Sequence, residues 1–335
     1  MQQGKQSIRF EKTPYIRSCA SIVGKKEGEG PLGSYFDKII EDPLAGEKTW
    51  ELAESQFQKE ALTLALKKGN LEQNQLRYLF AGDLQGQIIG TTFAMKDIGI
   101  PIFGLYGACS TAGEALSLAA MTVAAGYADE VGAITSSHLG SAEKNFRFPL
   151  EYGNQRPKSA TWTVTGSGAF IVSSSQGSVR IKGITTGVIK DYGIKDSMNM
   201  GAAMAPAAAD VIYQNFQDFD CGADEYDQIL TGDLGSVGKE ILIKLLKDNH
   251  YDISKNHMDC GIKIYDDALQ DTHSGGSGCA CSAVTLAGYG MDKLMKKEWK
   301  KILFVPTGAL LSTVSFNEGQ TVPGIAHAVI LERQS

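Results

Sequence analysis

LYGACSTAGEALSLA, residues 105–119, decides how this chain is read. A turn of small residues carries Cys109, and a run rich in Ala, Ser and Leu with helical spacing follows it. A turn that opens into a helix places a cysteine beside free backbone N–H groups and at the positive end of the helix dipole. Both favour thiolate over thiol. Cys109 therefore reads as a nucleophile position, in use or inherited. A small residue filling a crowded turn is the alternative.

The stretch has a second version downstream. RYLFAGDLQG (77–86) and DQILTGDLGS (227–236) are both short apolar strands that run into a Gly-Asp-Leu turn. The Cys109 turn follows the first, and GGSGCACSAVTLAGYGM (275–291), another small-residue turn and helix, follows the second. EVGAITSSH (130–138) matches KILFVPTGALLS (301–312), and TVTGSGAFIVSS (163–174) matches VPGIAHAVILER (322–333). Matches in the same order point to internal duplication, with halves 1–175 and 176–335 forming one compact unit.

An amphipathic helix precedes each Gly-Asp-Leu strand, over Trp50 to Lys67 and Ala203 to Phe216, and a further one spans Lys239 to Lys247. Strands alternating with helices read as α/β units. Two such units face to face predict a five-layered α/β/α/β/α core. The helices after Cys109 and Cys281 fall in its middle layer, where Ala, Ser and Gly fit between two sheets better than Leu or Phe. MAPAAAD (204–210) reads as a tightly packed helix start.

Bulk composition narrows the function. The 335 residues are 43% hydrophobic and 21% charged with a net charge of −6, which offers no basic face for nucleic acid. No apolar run approaches the ~20 residues of a membrane span. MQQGKQSIRFEKTPY lacks the apolar segment of a secretory signal. The six cysteines are irregularly spaced and read as reduced thiols. Neither Cys279 and Cys281 nor His257 and Cys260 has the spacing of a structural zinc site.

The duplicated pattern and the cysteine turn resemble the thiolase superfamily, closest to its β-ketoacyl carrier-protein synthase III branch. GPLGSYFDKI (30–39), FAGDLQGQ (80–87), FGLYGACST (103–111), TVTGSGA (163–169), MAPAAAD (204–210), ILTGDLGSVG (229–238) and GGSGCACSAV (275–284) together resemble the stage V sporulation protein AD family of endospore-forming bacteria. That resemblance implies a role in moving dipicolinic acid, as its calcium chelate, into the developing spore. It implies work with membrane proteins of the same operon, at the cytoplasmic face of the forespore or spore inner membrane. It also implies a homodimer formed through the sheet edge beside the nucleophile, with residues 83–94 contributing.

Condensing enzymes of this superfamily pair the cysteine with a histidine and an asparagine that stabilise an enolate oxygen. Laid on this chain, the histidine turn falls on TGDLG, at Gly232 or Asp233, and the asparagine position falls on Gly276. Glycine has no side-chain donor, and an ionised carboxylate only accepts. Loss of one such donor costs on the order of 10²–10³ in rate. The resemblance therefore implies a binding protein without catalysis. The alternative is an acyl-thioester transferase using Cys109 with His138, which ends a strand, or His273, which precedes the glycine turn. His250 and His257 read as solvated and His327 as packed.

The expected ligand residues are Cys109, Ser110, Asp83, Ser136, Ser137, His138, Asp233, Gly275 and Gly276. Backbone N–H groups at the Cys109 helix start and the 275–278 turn suit an anion. Asp83 and Asp233, unless they merely close their turns, would repel a bare dianion and bridge to it through calcium. No cofactor is expected beyond calcium carried with the ligand.

Overall fold

The computed structural model describes residues 1–146 and 155–334. Ten strands form one hydrogen-bonded path. In the first half the order is Tyr15–Gly24, Gly166–Ser173, Glu130–Ser137, Tyr78–Gly82, Ile102–Leu105. In the second it is Val179–Thr185, Ala328–Arg333, Lys301–Val305, Gln228–Thr231, His257–Asp259. The pairing sense repeats as well. The first two joints are antiparallel and the last two parallel in each run. Among the described residues the two runs pair where Tyr15 and Ile16 lie opposite Arg180 and Val179. Residue 175 lies in the connection between Gly166–Ser173 and Val179–Thr185.

Glu130–Ser137 and Gly166–Ser173 are buried along their whole length. A strand covered on both faces loses the alternation of a half-exposed one. The covers are helices. Trp50–Lys68 packs outside the first run, its start capped by Thr49 Oγ1 accepting Leu52 N–H at 3.3 Å. Met200–Phe219 and Gly235–Asp248 lie outside the second run. Thr111–Ala124 and Cys279–Thr285 fill the space between, in the largest core cluster. This is the expected five-layered arrangement. MAPAAAD falls one turn inside its helix, which starts at Met200, rather than at the start.

Small residues set the spacing of the middle layer. A Cβ on Gly168 would lie 2.6 Å from the Cβ of Ala283, so glycine in the first sheet lets the second half's helix close on it. A Cβ on Gly113 would lie 3.1 Å from Pro306 Cδ and from the His327 carbonyl oxygen. Each central helix thus touches the opposite half, which joins the halves through one core.

Candidate functional site

The Cys109 turn is built by its own hydroxyls. Ser110 Oγ donates to the Gly107 carbonyl at 2.6 Å, and Thr111 Oγ1 donates to the Ala108 carbonyl at 2.6 Å while accepting Gly107 N–H at 3.0 Å. Ala108 takes a left-handed φ of 50°, which swings Cys109 onto the helix start. Cys109 is 6% exposed. Burial, followed by the charges of Asp233 and Cys279, pushes its pKa well above the ordinary thiol value. Desolvation outweighs the helix dipole.

Asp233 stands beside the thiol, where its charge opposes thiolate formation. Its Oδ1 accepts from Thr307 Oγ1 at 2.8 Å and its Oδ2 from Gly278 N–H at 3.0 Å. Burial raises its pKa to about 7 against the opposing pull of Cys109, Gly278 and Thr307. The fold thus brings Cys109, Asp233 and Gly278 together.

A cavity of about 50 Å³ opens beside Cys109. Tyr106, Phe146, Met198 and Leu311 give it an apolar wall, and Thr161, Thr163, Ser197 and Ser277 supply hydroxyls. Of the expected ligand residues only Cys109 lines it, with Asp233 behind the thiol. The expected anion cradle does not form. The N–H groups of Ser110 and Thr111 donate to Gly107 and Ala108 carbonyls at 3.1 and 3.2 Å, and Gly278 N–H is taken by Asp233.

The other expected residues are held elsewhere. The Ser110 hydroxyl is taken by its own turn. Ser137 Oγ donates to the Val164 carbonyl at 2.7 Å and accepts Ala280 N–H at 3.1 Å, so it pins two elements rather than a ligand. Gly276 pairs with Trp162 in a short parallel ladder. Gly275, with φ of 116°, packs on the Gly261 backbone. His138 faces away from Cys109. Its Nδ1 accepts Gly140 N–H at 3.0 Å, which leaves Nε2 to donate to the Pro43 carbonyl at 2.7 Å. His273 Nδ1 lies 2.9 Å from the Pro157 carbonyl and its Nε2 3.1 Å from Asp271. Neither histidine meets the thiol. His257, expected in solvent, is buried in a strand with its Nε2 2.9 Å from Thr231 Oγ1.

Asp83 is not a cavity residue. Its Oδ1 accepts Gln85 N–H and its Oδ2 accepts both Thr91 N–H and Thr91 Oγ1, each at 2.7 Å. Beside it lies a group the sequence reading missed. Glu54 accepts from Ser136 Oγ at 2.8 Å, Ser141 Oγ at 2.7 Å and Gln85 Nε2 at 2.6 Å. Burial, then the Asp83 charge, raises its pKa to about 8 against the pull of these three donors. Ser136 therefore serves this network and not the cavity. The available signal was Glu54 and Gln58, one turn apart on the same helix face as Phe57 and Ala61.

Among the described residues no group of three or more His, Cys, Asp or Glu side chains is placed to hold a metal, and no helix is long and apolar enough to cross a membrane.

Comparison with solved structures supports the fold at low identity. 3-Oxoacyl-[acyl-carrier-protein] synthase III from Aquifex aeolicus VF5 matches with a TM-score of 0.58 and 14% identity, over 95% of this chain and 99% of that one. Xanthomonas campestris OleA with cerulenin bound matches with a TM-score of 0.62 and 13% identity, over 97% and 100%. Both are thiolase-like folds. The sequence relationship is closer to stage V sporulation protein AD of Bacillus subtilis (strain 168), 43% identical over 330 residues, 98% of this chain and 97% of that protein. The family model for stage V sporulation protein AD matches residues 4–332, and the chain belongs to that family.

Proposed function

We propose that this sporulation protein binds dipicolinic acid, as its calcium chelate, in the Cys109 cavity and serves its uptake into the developing spore without forming an acyl-enzyme. The observation that carries the reading is Asp233, held by Thr307 and Gly278 with its charge against the Cys109 thiol. In this reading a carboxyl stands at the position that the resemblance assigns to a condensing enzyme's donor, and burial raises the pKa of the thiol beside it. The alternative, acyl transfer by Cys109 with His138 or His273, lacks a base, because both histidines are hydrogen-bonded elsewhere.

The described cavity lining contains no Lys, Arg or His. A bare dianion would meet no compensating charge there, whereas the chelate is neutral. Calcium travels as part of the cargo, held by the ligand's own carboxylates and water, since the Asp233 oxygens already accept Thr307 and Gly278. A cavity of about 50 Å³ has room for only a few waters, so a ring displaces side chains such as Met198 and Leu311 as it enters. In this reading the protein acts as a homodimer on the cytoplasmic face of the forespore or spore inner membrane, held there by membrane proteins of its operon. Mass spectrometry after incubation with acetyl-CoA or acyl carrier protein, beside calorimetry with dipicolinate, tests it. Acylated Cys109 without dipicolinate binding would replace this reading with the enzyme.

A further inference from the structure

The wall of the Cys109 cavity is held from behind. Leu84 and Ala142 line it from two segments, the turn after strand Tyr78–Gly82 and the helix Leu139–Phe146, and both pack with Cys109 and Cys279 in one cluster. Their chain neighbours Gln85 and Ser141 meet on one atom of the helix Trp50–Lys68. Gln85 Nε2 donates to Glu54 Oε2 at 2.6 Å, and Ser141 Oγ donates to the same oxygen at 2.7 Å. Glu54 thus joins the two wall segments through a single oxygen.

Asp83 fastens the first of these segments at both ends. Gln85 N–H and Thr91 N–H donate to its two oxygens and bracket residues 86–90. Between them Gln87 and Ile88 take left-handed φ values of 55° and 47°. Consecutive non-glycine residues there are strained and persist only where their surroundings hold them. The two carboxyl groups are neighbours. A Cβ on Gly90 would lie 3.2 Å from Glu54 Cδ and 3.3 Å from Asp83 Oδ2. A ring of hydrogen bonds closes around them, through Ser136, Gln58 and Thr91 on one side and Gln85 on the other.

No cation balances the pair. Among the described residues no Lys, Arg or His side chain bonds to either carboxyl. Lys144, on the Ser141 helix, is turned to Glu51 at 2.6 Å, and both ring nitrogens of His138 are taken by Gly140 and Pro43. Cys279 faces the acids from the middle layer, and their charges add to the burial that raises its pKa. Tyr106 and Glu143 stand on the cavity side of the wall. The strand of Ser136 and the helix of Thr91 bring only hydroxyls and a backbone N–H to the pair.

Two adjacent buried carboxyls without a cation favour one shared proton. Gln58 Oε1, buried with no hydrogen-bond partner among the described residues, marks the network as one donor short. Ser136 Oγ, which can accept as well as donate, is 2.8 Å from Glu54 and can take the hydrogen bond of a proton carried there. Burial and the Asp83 charge raise the pKa of Glu54 to about 8 in the closed wall. Loss of that proton therefore favours any arrangement in which Glu54 meets water, and this requires the Gln85 and Ser141 segments to part.

We propose that Glu54 is a positioning residue for the Cys109 cavity, a proton-dependent clamp that holds the Leu84 and Ala142 walls closed and lets them part when it ionises beside Asp83. The inference rests on the reading that this cavity admits a guest, and not on which guest. It supplies the motion that a cavity of about 50 Å³ needs before a ring can enter.

The test uses the full chain without dipicolinate, so failure of the clamp and failure of the ligand assignment are told apart. Hydrogen exchange of the 84–91 amides, relative to intrinsic rates, is followed at pH 6.5 and pH 9. In the parent their protection falls at least tenfold, while the strand Lys301–Val305 keeps its own. Glu54→Gln, of the same shape but with no proton to lose, stays protected at both. Labelling of Cys109 by N-ethylmaleimide, followed by peptide mass spectrometry, ties the motion to the cavity. The ratio of the parent rate to the Glu54→Gln rate, in which the thiol's own ionisation cancels, rises at least threefold between the two pH values. Constant protection in the parent, an equal fall in Glu54→Gln, a fall shared by Lys301–Val305, or a constant labelling ratio overturns the proposal. Where Glu54→Gln does not fold, Ser141→Ala, which removes one arm of the clamp, labels at least threefold faster than the parent at pH 6.5, and an equal rate overturns the proposal.

Discussion

Thr307 and Asp233 hold each other twice. Thr307 Oγ1 donates to Asp233 Oδ1 at 2.8 Å and accepts Asp233 N–H at 3.2 Å. The carboxylate is therefore fixed before any ligand arrives, and Cys109 sits against it. A negative charge beside the thiol opposes thiolate formation, so removing the charge frees the thiol. Asp233→Asn is expected to speed iodoacetamide alkylation of Cys109 about tenfold near neutral pH, the effect of one pKa unit on thiolate fraction. Peptide mass spectrometry follows the rate. An unchanged rate would mean that Asp233 does not control the thiol.

Stability carries a second signature of the buried acids. Asp233 is raised from 3.8 to about 7 and Glu54 from 4.5 to about 8, chiefly by burial. Between those limits the folded chain keeps protons that the unfolded chain has released. Their contribution to stability is therefore full below the unfolded values and is lost as pH rises through the folded ones. Urea midpoints between pH 5 and 8 are expected to fall less steeply in Glu54→Gln than in the parent. Parallel curves would show that Glu54 is ionised in the native state.

The layers were legible in the sequence because duplication is linear, with paired Gly-Asp-Leu turns and small-residue helices in fixed order. The facing of individual side chains was not. Asp83 and Asp233 share a motif, yet Thr91 and Gln85 turn one away while Thr307 and Gly278 hold the other at Cys109. Ser136 and Ser137 are neighbours in one strand and so face opposite layers, one to Glu54 and one to Ala280. That alternation was available from the sequence. The direction of His138 was not, because it depends on Gly140 and on the distant Pro43.

The Gly168–Ala283 approach tests the interlocked middle layer. A valine at position 168 would drive its side chain into a helix already 2.6 Å from the Cβ position. Overpacking of this kind costs about 1–3 kcal/mol. Gly168→Val is expected to lower the melting temperature by several degrees. A melting temperature equal to the parent's would mean that the two halves separate easily there.

The strand Ile102–Leu105 ends the sheet path and leaves Ile102 and Phe103 exposed. An open apolar edge beside the Cys109 turn is what a second copy would cover. Light scattering at micromolar concentration should report about twice 35.9 kDa, and Phe103→Glu should reduce it to the monomer. A monomeric parent across that range would remove the dimer from the functional reading.

The calcium chelate gives the sharpest test of the cavity. Cys109 lines the cavity with Asp233 behind its thiol, and the described lining has no cationic side chain. A dianion bound there either faces the Asp233 charge or requires that carboxyl, whose pKa burial raises to about 7, to take up a proton. Free dipicolinate therefore meets Asp233 at a disadvantage that the neutral chelate avoids. Calorimetry is expected to show at least tenfold tighter binding with calcium than with a chelator present. Asp233→Asn should narrow that gap by improving binding of the bare dianion, because the repelling charge is gone while a side chain of the same shape remains. Equal affinity in both conditions, unaltered in Asp233→Asn, would remove calcium from the binding step and leave the cavity as the site. Cys109→Trp separates the two claims, since an indole at position 109 fills the cavity without touching the ligand's charge. Full dipicolinate binding by that variant would place the ligand elsewhere on the protein.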